Sequence, residues 1–214
     1  MRIAVLGATG RTGVPLVKGA LRRGHEVRLL ARDRGKAQRL LPVDDDRLQL
    51  HAGDATDPGV LGALVDGVDA VVDVTGPVKG GPKDLRTRIT GGLLPAMRDH
   101  DVDRLVLLTG AGVRVDADRP KVADRAIRRV MQFAQPDILA DGQAAVAAVM
   151  GSHLDWTVVR APRLTDGELR GQVRSAAHVG GGTGTTLGRA DLAAFLLDEV
   201  DSPSWVGQAP VVSW

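Results

Sequence analysis

The sequence predicts an α/β protein: a doubly wound parallel sheet flanked by helices, folded as a single domain. Three observations carry that expectation. Short apolar runs alternate with helical patterns along nearly the whole chain, as strand–helix units around a parallel sheet require. The first run, Arg2-Ile3-Ala4-Val5-Leu6, opens directly onto a glycine-spaced turn, Gly7-Ala8-Thr9-Gly10-Arg11-Thr12-Gly13. The length, 214 residues, suits one domain with a substantial core.

The first unit sets the pattern. Its apolar run has the length of a strand buried on both faces. After the turn, Val14, Val17 and Leu21 recur at spacings of three and four, with Leu16 and Ala20 beside them. Pro15 fits a first helical turn, whose N–H groups have no partner inside the helix, and Gly24 suits the helix end. A strand, a glycine turn and a helix in that order build a phosphate site. Gly7 permits the tight turn, Gly10 lets backbone approach a pyrophosphate, and Gly13 lets the helix pack on the strand. Free N–H groups and the dipole at the helix start favour an anion. A glycine pattern alone is weak evidence, but this one stands between the strand and helix that the mechanism needs. It predicts a bound dinucleotide.

The remaining elements follow in order. Glu26 to Ala31 is the second strand, and Arg32-Asp33-Arg34 leaves it where an adenosine ribose would lie. An acidic residue there suits the 2′-hydroxyl and an arginine suits a 2′-phosphate. Arg32, with Arg11 in the glycine turn, favours NADP(H) over NAD(H). Asp33 is suited to the hydroxyl or to pairing with an arginine. Lys36 to Leu41 is a short helix, and Asp44 to Asp46 a solvated acidic loop. Arg47 to Ala52 is the third strand; Gly53-Asp54-Ala55 follows it, where adenine would lie. Asp54 is suited to the adenine amino group or to a turn or helix cap. Val60 to Val65 is a helix and Ala70 to Val74 the fourth strand, with Thr75-Gly76-Pro77 at its carboxyl end, where ligands of open α/β sheets lie. Val78 to Lys83 is a loop able to close over a ligand.

Asp84 to His100 is a helix with Leu85, Ile89, Leu93 and Ala96 on one side, bent by Gly91-Gly92 and Pro95. Arg104 to Leu108 is the fifth strand, leading to Thr109-Gly110-Ala111-Gly112. Thr109 is the catalytic candidate, orienting a carbonyl or the nicotinamide unless its hydroxyl merely bonds backbone. Helices cover Pro120 to Ala134 and Ile138 to Gly151. Lys121, Arg125, Arg128 and Arg129 form a basic stripe on the first, read as a solvated face that Asp124 partly offsets. Asp155 to Val159 is the sixth strand, with Arg160-Ala161-Pro162-Arg163 its exit. Arg163 is suited to an anionic substrate or to the surface. Gly180 to Gly184 is a loop, Arg189 to Val200 a helix, and Val206 to Val212 an edge strand. The part from about 155 to 214 completes the substrate pocket.

Composition removes several classes of function. The absence of cysteine excludes disulfides and thiolate chemistry and agrees with a cytoplasmic protein. Interspersed 28 basic and 26 acidic residues, net +2, give no nucleic-acid signal. The apolar start is too short to target or span a membrane, so no membrane partner is expected. The five histidines, His25, His51, His100, His153 and His178, lack metal-ligand spacing, so no metal is expected. No nucleophile elbow and no phosphate-loop lysine motif occur. The expected partner is a small-molecule substrate, and the expected state a monomer or homodimer.

The glycine turn, Gly53-Asp54, Thr75-Gly76 and Trp156-Thr157-Val158-Val159-Arg160-Ala161-Pro162 together resemble the atypical short-chain dehydrogenase/reductases. Within them the chain is most similar to the NAD(P)H-binding group that includes NmrA-like proteins and biliverdin reductase B. The resemblance implies a Rossmann-type sheet with a nucleotide at Gly7, Thr9, Gly10, Arg11, Thr12 and Gly13. It also implies contacts from Arg32, Asp54, Thr75, Gly76, Thr109 and the exit Arg160, Ala161 and Pro162, with Ala55 beside Asp54. The departures are equally informative. The chain has no tyrosine, which excludes the Tyr-x-x-x-Lys mechanism of the superfamily. Gly110 stands where biliverdin reductase B has a serine, and Arg163 where it has a histidine. Two functions are therefore expected: NADPH-dependent reduction of a flavin, quinone or similar flat acceptor, or NADP(H) sensing without chemistry. Nucleotide-sugar epimerisation usually needs the missing tyrosine.

Overall fold

The computed structural model describes residues 1–78 and 80–214; Lys79, inside the loop expected over Val78 to Lys83, lies outside the described residues. Strands β1 (Arg2–Leu6), β2 (Glu26–Ala31), β3 (Leu48–Ala52), β4 (Ala70–Asp73), β5 (Arg104–Gly110) and β6 (Asp155–Ala161) alternate with helices. These are α1 (Gly13–Arg22), α2 (Arg34–Leu40), α3 (Pro58–Val65), α4 (Leu85–Asp99) and, between β5 and β6, α5 (Val122–Ala134) and α6 (Pro136–Met150). The chain ends with β7 (Arg163–Thr165), β8 (Arg174–Ala176), β9 (Thr186–Gly188), α7 (Arg189–Asp201) and β10 (Val211–Ser213).

Among the described residues the main sheet has eight strands, ordered β3-β2-β1-β4-β5-β6-β10-β8. All pairs are parallel except β10 with β8. Because successive strand side chains point to opposite faces, the apolar runs feed two cores. Ile3 and Val5 pack with Leu16, Val17, Leu192 and Leu196 of α1 and α7. Ala4 and Leu6 pack with Leu61, Leu64, Ile89, Leu93 and Val146 of α3, α4 and α6. Each strand buried on both faces must be apolar throughout, which is why the sequence shows continuous runs rather than alternation.

Helix ends follow local chemistry. After α1, Gly24 takes φ 85°, His25 N–H donates to the Ala20 carbonyl (3.1 Å) and Gly24 N–H to that of Leu21 (3.0 Å), the paired closure of a glycine-terminated helix. Asp33 accepts from Lys36 N–H at 2.8 Å and so starts α2 two residues before the expected Lys36.

The expected tail strand is corrected. The pairing segment is Val211–Ser213, and it lies inside the sheet, parallel to β6. The edge is instead β8, Arg174-Ser175-Ala176, which has no apolar run to betray it. The two-stranded β7–β9 pair was equally invisible. β6 runs on past Val159 to Ala161, which decides the fate of Arg160.

Strands β2 and β4 lie on opposite sides of β1. The connections therefore diverge there, leaving a crevice outside the carboxyl ends of the strands.

Candidate nucleotide-binding site

A cleft of about 790 Å³ occupies that crevice. Its floor is the glycine turn. Gly7 takes φ 76°, and a Cβ on it would stand 2.9 Å from the Val74 and Thr75 backbone. A Cβ on Gly10 would stand 3.0 Å from the Gly7 carbonyl oxygen. Both glycines line the cleft with Thr9, Arg11 and Thr12. Gly13 does not. A Cβ there would collide with the Gly7 carbonyl and stand 2.7 Å from Ala8 backbone, so this glycine serves packing of α1 on β1 rather than ligand contact.

The start of α1 suits an anion. Its N-cap, Thr12, makes no side-chain capping bond, and no acidic residue lies in the first turn. Val14 N–H already donates to the Gly10 carbonyl at 3.0 Å and Pro15 has no N–H, so the backbone donors left at this end for a ligand such as a diphosphate are those of Thr12 and Gly13. A glycine cradle, uncapped donors and the cleft volume together fit a pyridine dinucleotide.

At the β2 end, Arg32 lines the cleft, and Lys36, which sequence reading left unassigned, joins it from the first turn of α2. Asp33 turns away to cap that helix. Arg11 pairs with Asp166, which also holds Arg189 at 2.8 Å. These guanidinium partners, Arg11 foremost, hold the Asp166 carboxyl below the usual carboxylate range. At the β3 end, Asp54 and Ala55 line the cleft. Asp54 accepts from Thr56 N–H (2.8 Å) and Thr56 Oγ1–H (2.7 Å), the turn alternative, and these bonds lower its pKa. Its carboxylate stays charged while bordering the cleft.

At the β4, β5 and β6 ends, Thr75, Gly76, Thr109, Ala161 and Pro162 line the cleft. Cβ atoms on Gly76 or Gly110 would meet nothing within 4 Å, so this end is open. Leu164 and Arg189 contribute from the C-terminal part. Arg86 was missed by sequence reading. It is buried, lines the cleft, and donates to the carbonyls of Thr75 (2.7 Å) and Leu108 (2.6 Å). Its backbone N–H donates to the Asp141 carboxylate at 2.9 Å, but among the described residues no carboxylate lies within 4 Å of its guanidinium. The nearby Asp73 is fully buried; burial pushes its carboxyl up, against the Arg86 charge and the Thr75 bonds. The helix pattern gave no warning, because an arginine beside Leu85 reads as solvent-facing.

Arg160 is a correction. It does not line the cleft. Its side chain is 0% exposed and pairs with Asp118 at 2.7 Å while donating to the carbonyls of Ala209 (2.8 Å) and Val113 (3.3 Å). The extra strand length explains it: alternation sends Arg160 to the face opposite Ala161. Burial pushes the Asp118 carboxyl up, but Arg160 and the N–H groups of Val179 and Val115 prevail and hold it low. Arg163 is exposed outside the cleft. Of the Val78 to Lys83 loop, Val78 lines the cleft and Lys83 pairs with Asp137 at 2.7 Å. Among the described residues no acidic–histidine cluster could hold a metal, and no helix is long and apolar enough to cross a membrane.

Comparison with known proteins fits this geometry. A family model described as NAD(P)H-binding matches residues 7–203. The uncharacterized protein YwnB of Bacillus subtilis is 30% identical over 114 residues, 52% of this chain and 48% of that protein. The chain thus matches about half the length of that relative. A short-chain dehydrogenase/reductase from Veillonella parvula, solved in complex with NADP, superposes with TM-score 0.82 at 16% identity over 100% of this chain and 94% of its own. ChuY, an anaerobilin reductase from Escherichia coli O157:H7, superposes with TM-score 0.80 at 18% identity over 100% of this chain and 97% of its own. At these identities the two structures share the fold.

Proposed function

This chain belongs to the NAD(P)H-binding family, and from that premise we propose that it is an NADPH-dependent oxidoreductase acting on a flat acceptor such as a flavin or quinone. The observation that carries the proposal is the juxtaposition of two ends of one cleft. One end is a glycine cradle with a cationic pair, Arg32 and Lys36; the other is open beside Gly76, Gly110 and buried Arg86. Arg32 and Lys36 would hold a 2′-phosphate by charge-assisted hydrogen bonds, and the α1 N-terminus the diphosphate. Bound NADPH would supply a hydride. Gly76 and Gly110 leave room for a planar acceptor, and Thr109 borders the same end. Arg86 would stabilise negative charge developing on the acceptor, a task the absent tyrosine cannot perform. The proton reaches the reduced acceptor from water.

The test is stopped-flow oxidation of NADPH with a panel of flavins and quinones. Turnover well above the protein-free rate is expected, and none with any acceptor would remove the proposal. A second reading, a nucleotide sensor without chemistry, is favoured by one observation: no histidine lines the cleft among the described residues, and the chain has no tyrosine. Tight NADP(H) binding with no turnover would select it.

A further inference from the structure

We propose that α5, with the arginine-lined cavity beside it, forms a docking surface for an anionic phospholipid membrane. The helix is amphipathic in an unusual sense: its apolar face is the one turned to solvent. Val122, Ala126, Val130 and Phe133 follow at spacings of four, four and three and share one face, which Ile127 widens. Phe133 is 94%, Val122 80%, Val130 68% and Ile127 52% exposed, and no α5 residue is buried. The helix rests on the body through its other side. Met131 lies against Gly112, and Arg128 donates to the Gly112 carbonyl at 3.3 Å.

Beside the apolar face lies a cavity of about 440 Å³ bordered by Arg114, Arg125, Arg128 and Arg129. None of these four arginines has a carboxylate within 4 Å among the described residues. The acids nearby are already occupied. Asp118 takes Arg160 and the N–H groups of Val115 and Val179, and Asp124 takes Lys121 N–H at 2.8 Å. Asp124 keeps its charge in that bond and partly offsets the basic stripe, as the sequence suggested, without pairing directly with any of the four arginines. The Arg114 Nε is buried with no protein partner.

Charge complementarity selects the occupant. A second copy docking through α5 about a twofold axis would bring the same unpaired arginines together, like charge against like. A small soluble anion would satisfy the arginines and leave the apolar face in water. An anionic leaflet satisfies both: the aliphatic residues and Phe133 enter the acyl boundary, and the arginines meet lipid phosphates at its surface. The proposal departs from the sequence expectation of a solvated stripe and no membrane partner. This surface lies outside the nucleotide cleft and does not depend on the proposed reaction.

The experiment is co-sedimentation of the intact protein with vesicles of phosphatidylcholine alone or with a third phosphatidylglycerol. Circular dichroism and thermal melting check that each variant folds. Binding to the anionic vesicles, at least tenfold stronger than to neutral ones and weakened by salt, is expected. Phe133→Asp should lower it at least tenfold. Arg125→Gln with Arg129→Gln should lower it about 25-fold, since each basic residue at an anionic surface is worth roughly fivefold. Four results would overturn the proposal. These are no binding to anionic vesicles, equal binding by folded Phe133→Asp, a dimer that Phe133→Asp dissociates without vesicle binding, or glycerophosphate binding through the arginines without vesicle binding.

Discussion

Single residues decide chemistry here by what they are already bonded to. Arg32 reaches the cleft because Asp33 is committed to capping α2. Arg32→Ala should therefore weaken NADPH about ten- to hundredfold more than NADH, the worth of a charge-assisted contact of roughly 1.5–3 kcal/mol. Titration with both coenzymes reads it, and equal loss for the two would refute the 2′-phosphate assignment. Arg86 is the reverse case, a buried cation whose guanidinium is held by carbonyls and forms no salt bridge. Arg86→Met should lower kcat about a hundredfold with coenzyme affinity nearly unchanged, and Arg86→Lys should recover part of the loss. An equal fall in coenzyme affinity would make Arg86 a purely structural clamp. Arg160 shows where residue-level reading ends. Its identity and its place near a strand end were legible, but the strand is longer than its apolar run, and the two extra residues turn the guanidinium to the opposite face. Removing its partner, Asp118→Ala, leaves that cation buried and should cost about 3–5 kcal/mol in urea unfolding.

At the scale of elements, the β1–turn–α1 unit was readable in full because each of its glycines answers a local steric demand. Gly13→Ala places a methyl against the Gly7 carbonyl and the Ala8 backbone, neither of which can yield without moving α1. It should lower thermal stability markedly and abolish coenzyme binding in whatever folds. Asp33→Ala tests α2 in the opposite way. It should cost about 1 kcal/mol of stability while leaving the NADPH-to-NADH ratio unchanged, because the carboxylate caps a helix and lies outside the cleft lining. A shift toward NADPH would mean that Asp33 opposes the phosphate. The short strands β7, β8 and β9 left no such trace. Three residues carry too little periodicity, and their pairing is made by partners distant in sequence.

Across the whole molecule, charge and burial couple stability to pH. Burial lowers the pKa of His25, against the pull of Asp201, and that of His51. Both are therefore neutral in the fold at pH values where the unfolded chain, with histidine near 6.5, takes up protons, so stability falls below about that pH. Asp118 is held low, so its contribution is present above the unfolded carboxylate value of about 3.9 and lost as pH falls through it. Asp73, raised by burial, works the other way. Urea midpoints from pH 7 to 3 should decline in two stages, and His25→Gln should flatten the first. The sequence by itself determined the sheet class, the order of the first six strands along the chain, and the glycine turn between β1 and α1, because these rest on local rules: apolar runs, helical spacing, and the steric freedom of glycine. Only the tertiary structure decided that Arg160 is a buried tie, that Arg86 and Lys36 border the cleft, that the tail strand lies inside the sheet, and that the apolar face of α5 points outward. Each of these depends on which distant segment supplies a partner, and a linear pattern records spacing along the chain, not what stands opposite in space.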